Sequence, residues 1–106
     1  MSATLAWAIL IFAGILESFW AIGLKLSDGL TRPFYTIATI ICAALSFYLL
    51  ALSMKVLPAS VAYSAWGAIG ISGVVMIEYI FFNGELSLIK SISIVFIVIG
   101  IFGLNN

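Results

Sequence analysis

The chain has 106 residues, is 65% apolar and carries four acidic and four basic side chains. Charged residues make up 8% of it, where a soluble globular domain has about a quarter, so the composition excludes that class. Zero net charge leaves no basic patch for nucleic acid, and one cysteine with no histidine excludes a disulfide framework and a Cys/His metal site.

Stretches of about 20 apolar residues recur along the whole length, the run needed to cross roughly 30 Å of hydrocarbon. A first helix is predicted over residues 4–24. It lacks a basic leader and is too long for the core of a signal peptide, so with three apolar segments behind it, it reads as a retained transmembrane helix. The polar run from Lys25 to Pro33 holds three of the eight charges and Gly29, and makes the first connection. A second helix is predicted over 33–54, with Pro33 tolerated in its first turn. A third takes 59–82, a turn follows at Asn83 to Ser87, and a fourth takes 88–104. The expected architecture is an all-α membrane protein: a single domain over 1–106, four transmembrane helices and short loops that force antiparallel neighbours.

One such unit is too thin to enclose a polar cavity, so polar side chains need to face a second copy rather than lipid. Lys25, Arg32 and Lys90 flank the first and third connections, against Lys55 at the second. This asymmetry favours both termini outside by a small margin, between clear bias and the balance that would permit insertion in both directions.

Glu17 is alone in an otherwise uncharged first helix. A charge near the bilayer centre costs roughly 2.5–3.5 kcal/mol on insertion scales, which makes it a candidate site for a cation or a proton; the plainer reading is a structural acid. Trp20 shares its helical face. With Tyr63 and Trp66 on the third helix it either walls a cation site through cation–π contact or belongs to an interfacial aromatic belt. Ser46 is placed to hydrogen-bond Glu17 or line the cavity, or simply to pack helices. Gly67, Gly70 and Gly73 make one side of the third helix small, for close packing or for bending, and Gly100 and Gly103 mark a dimerisation face on the fourth. Glu78 reads as an interfacial solvated acid or as a second acid at a cavity mouth or subunit contact.

The runs Ala13-Gly14-Ile15-Leu16-Glu17-Ser18-Phe19-Trp20, Asp28-Gly29-Leu30-Thr31-Arg32 and Leu57-Pro58-Ala59-Ser60-Val61-Ala62-Tyr63-Ser64-Ala65-Trp66 together resemble the small multidrug resistance family over essentially the whole chain. Trp20 three residues after the glutamate, with Leu45-Ser46-Phe47-Tyr48, is similar to its guanidinium-exporting branch. The resemblance implies a proton-coupled antiporter in the inner (plasma) membrane, working as an antiparallel dimer, with Glu17 binding substrate and proton and Tyr63 and Trp66 lining the site. It also implies that Trp20 and Ser46 orient the glutamate and that the fourth helix supplies much of the dimer contact. Two departures stand out: Gly67-Ala68 where the family has a hydroxyl followed by glycine, and Ser18 where it has an apolar residue.

The expected partners are therefore protons, a guanidinium-type cation, the lipid bilayer and a second chain, either identical or an oppositely oriented homologue. No cofactor is expected. The alternatives are a multidrug exporter of quaternary ammonium and lipophilic cations, and a non-transporting membrane assembly subunit. An enzyme is least consistent with the residues, which offer no nucleophile–base pair.

Overall fold

The computed structural model describes residues 1–104, and they form four α-helices: α1 (Ala3–Leu26), α2 (Pro33–Ser53), α3 (Ala59–Phe81) and α4 (Leu88–Leu104). α1, α2 and α3 are each long and apolar enough to cross a membrane, while α4 is apolar and shorter, at 17 residues.

Local chemistry explains the helix ends. Ser2 caps α1 by accepting the Leu5 N–H at 3.1 Å. α1 runs two residues past its expected end, through Lys25 and Leu26, and stops at the fully buried Ser27. The Ser27 hydroxyl donates to the Leu24 carbonyl at 2.6 Å and accepts the Leu30 N–H at 3.0 Å, which folds the connection tightly. Asp28, Gly29 and Leu30 take left-handed φ values of 52°, 72° and 68°. Only the glycine does so without steric cost. Pro33 starts α2, and Ser87 caps α4 by accepting the Lys90 N–H at 3.1 Å. α3 ends at Phe81, one residue early: the Glu78 carbonyl accepts both the Phe82 and Gly84 N–H groups, and Asn83 adopts φ 54°.

α1 lies between α2 and α3 and packs extensively on both, whereas α4 packs on α3. The seams are built from small residues. Ala6, Ala13, Ala62, Ala65 and Ala68 are buried, and a Cβ on Gly14 would come within 2.7 Å of Ile69. Without a hydrophobic drive between helices in lipid, such close approach and buried hydroxyls supply the cohesion. Leu10, Leu50 and Trp66 are the larger members of the core.

The result is a slab of 40 × 34 × 17 Å. Since a helix with side chains is about 10–12 Å across, its short dimension is less than two full helices deep. α4 buries none of its residues, and Cβ atoms built on Gly100 and Gly103 would meet nothing within 4 Å.

Candidate functional site

α1 and α3 bring Glu17, Trp20, Tyr63, Trp66, Gly67 and Gly70 to the wall of one cavity of about 600 Å³, which Ile97 of α4 also reaches. The helical period puts these side by side: Glu17 and Trp20 are three apart on α1, while Tyr63, Trp66 or Gly67, and Gly70 succeed one another by three or four on α3. Among the described residues, no lysine or arginine lines the cavity; its walls are mostly apolar, and Glu17 is their single charge.

Glu17 is half-buried and lies directly over Gly70, where any side chain would collide with its carboxyl group. The glycine is the seat of the carboxylate. Gly73, one turn on, makes room for Ser18 in the same way. Gly67 differs: a Cβ there would meet nothing within 4 Å, so this glycine widens the cavity rather than admitting a neighbour.

The aromatic residues form a continuous wall. Tyr63 stacks on Trp66 with ring centroids 5.8 Å apart, and Trp20 lies 6.4 Å from Trp66. Phe47 of α2 packs on these rings without lining the cavity, tilted against Trp20 at 5.8 Å and Trp66 at 5.5 Å. Trp66 is buried and fixed at its polar end, because its Nε1 donates to the Ser46 hydroxyl at 2.9 Å. Ser46 in turn donates to the Ala13 carbonyl at 2.7 Å. Those two bonds, rather than one to Glu17, occupy the serine, and it stands behind the indole instead of in the cavity wall. Trp20 has no such anchor: its Nε1 is buried without a partner among the described residues.

Glu78 pairs with Lys25 at 3.5 Å, and the ammonium also sits 5.3 Å from the centre of the Phe82 ring. Each partner lies eight residues beyond Glu17 or Gly70 on its own helix, so the pair closes the same α1–α3 seam two turns further on. Both side chains are substantially exposed, which limits the pair to about 1 kcal/mol or less. Lys25 is thereby engaged away from Glu17.

One neighbour of the site is not legible in the sequence: Phe47 directly follows Ser46, and only the packing of α2 against α1 turns it toward Trp20 and Trp66. Ala68, in the stretch of small residues on α3, lines the cavity.

Helices long and apolar enough to span a bilayer, joined by short connections and built around one carboxylate in an aromatic-walled cavity, define a multi-pass membrane protein with a site suited to an organic cation. The Small Multidrug Resistance protein family model matches residues 5–97. The chain is 43% identical to a guanidinium exporter of Yersinia pseudotuberculosis, over 95% of this chain and 97% of the relative. It is 40% identical to a guanidinium exporter of Proteus vulgaris, with the same coverage. To a guanidinium exporter of Escherichia coli K12 it is 36% identical, over 95% of this chain and 96% of the relative. The chain belongs to the small multidrug resistance family, and is accordingly a membrane transporter rather than an enzyme.

Proposed function

We propose that the chain exports guanidinium or small substituted guanidinium cations in exchange for protons, working as a dimer of oppositely oriented subunits. The observation that carries this reading is Glu17: the lone charge of an aromatic-walled cavity, with no base in its walls. The names of its relatives support the choice of substrate.

A carboxylate accepts two parallel N–H bonds from a planar guanidinium, a match in shape as well as charge. The flat cation then lies against Tyr63 and Trp66, where cation–π attraction adds about 0.5–2 kcal/mol. Ser46 holds Trp66 in place for this contact. The free Trp20 N–H is a donor that the carboxylate can recruit, which would orient Glu17 without competing for the cation.

Proton and cation both neutralise the same carboxylate, so occupancy by one excludes the other. If the cavity exchanges its opening between the two sides only when neutralised, proton entry is coupled to cation exit. The thin slab and the uncovered α4 support a second subunit, packed through Gly100 and Gly103, whose own Glu17 would complete the site. Gly67 favours a second reading, export of bulkier quaternary ammoniums, because it leaves room that guanidinium does not need.

Currents from proteoliposomes on solid-supported membranes separate the two. Guanidinium is expected to give a saturable current and tetraalkylammonium ions none. The apparent KM for guanidinium is expected to rise as pH falls, by about tenfold per unit for each Glu17 carboxylate of the dimer that protons fill. A current with tetraalkylammonium alone would favour the second reading, and a KM independent of pH would contradict proton–cation competition.

A further inference from the structure

Ser18, the residue after Glu17, has no part in the mechanism above, yet it is 4% exposed and carries a hydroxyl into a seam of glycines and alanines. A buried hydroxyl needs a partner. It could find one within α1, where the Gly14 carbonyl lies at 3.4 Å, but its shorter bond crosses to α3 and the Gly70 carbonyl at 3.0 Å. Gly73 is bare on the facing side, where a side chain would strike this hydroxyl.

Gly70 is therefore held twice by consecutive residues of α1. Its Cα seats the Glu17 carboxyl group, and its carbonyl oxygen accepts the Ser18 proton. α3 also carries Tyr63 and Trp66, two turns and one turn before Gly70. The bond thus ties the helix bearing the carboxylate to the helix bearing most of the aromatic wall, at the point where the two meet.

We infer that Ser18 is a positioning residue for cation binding: its hydroxyl, bonded to the Gly70 carbonyl, sets the spacing between Glu17 and the aromatic face of α3. The inference rests on the exporter reading and deepens it. A guanidinium gripped between carboxylate and rings feels that spacing, whereas a proton on the carboxyl group does not. Loss of the bond accordingly weakens the cation and spares the proton.

Ser18→Ala removes the donor and little volume. Both carbonyls keep their places in their own helices, so no buried group is orphaned and the variant is expected to fold. In proteoliposomes its KM for guanidinium is expected to rise about three- to tenfold, the range that one net hydrogen bond commands. Its maximal rate should stay within about twofold, and the pH at which its apparent KM begins to rise, set by proton binding to Glu17 and not by the cation, should not move. Ser18→Cys, a weak donor of similar size, is expected to fall between wild type and alanine.

Hydrogen exchange reads the tie without substrate: in Ser18→Ala the amides of residues 71–75 should exchange about threefold faster or more, with α4 unchanged. An unaltered KM, a parallel loss of KM, rate and yield, or unaltered exchange at residues 71–75 would overturn the assignment. A wild-type chain that moves no guanidinium would instead defeat the exporter reading, while the exchange result still decides whether the tie exists.

Discussion

Replacing Glu17 with glutamine is expected to reduce guanidinium-driven current to the level of protein-free liposomes, a loss of about a hundredfold or more. Glutamine has the length and shape of the acid, so the contact with Gly70 is kept. It has no charge to hold a cation and no proton to exchange. In lipid the change also removes a costly ionisable group, so the variant should insert and assemble at least as well as wild type. Loss of transport together with normal yield separates the exporter from a subunit that merely packs against a partner, for which Glu17→Gln would be silent. Guanidinium binding followed by tryptophan fluorescence should disappear in parallel, since Trp20 and Trp66 line the same cavity.

Gly70→Ala is expected to come close to that loss without touching any charge. A methyl group at residue 70 occupies the space of the Glu17 carboxyl group, and the flexible glutamate gives way more easily than the backbone. The helix itself gains, since alanine is favoured over glycine by about 0.8–1.0 kcal/mol in a helix interior. The variant should therefore be folded and thermally stable, with its carboxylate displaced from the aromatic wall. A displacement of about 1 Å can cost 10²-fold in a positioned site. Proteoliposome flux alongside a thermal denaturation curve checks both halves: near-normal flux would show that Gly70 is a packing glycine and not the seat of the site.

The fold class is legible from the chain because lipid leaves few options. Apolar runs of about 20 residues with short polar breaks can only be spanning helices, and short connections can only make neighbours antiparallel. Helix ends are less legible, since they depend on individual bonds. Ser27 lets α1 continue through Lys25, and the Glu78 carbonyl closes α3 before Phe82.

Within the site, Glu17 is conspicuous as an isolated charge, and Trp20, Tyr63 and Trp66 follow from helical spacing and from the family resemblance. The partners of the buried hydroxyls are not legible in this way. Ser46 and Ser18 are both serines inside apolar helices, and spacing along the chain does not reveal that one anchors an indole while the other grips the carbonyl of a facing helix. The three glycines of α3 look equivalent in sequence. In space Gly70 seats a carboxyl group, Gly73 clears a hydroxyl and Gly67 faces open cavity. Glu78, open to several readings in sequence, is joined to Lys25 by a contact between residues 53 apart. These are tertiary facts, set by which faces of α1 and α3 meet.

The most direct test of the central claim, exchange of a guanidinium ion for protons on Glu17, is proton movement driven by guanidinium alone. Liposomes containing only this chain, a pH-sensitive dye and no initial pH gradient would be given guanidinium on the outside. Guanidinium entry is expected to drive protons out and raise the internal pH, a change that is lost when the guanidinium gradient is collapsed and absent in Glu17→Gln. Guanidinium uptake with no change in internal pH, or an equal change in the glutamine variant, would contradict the claim.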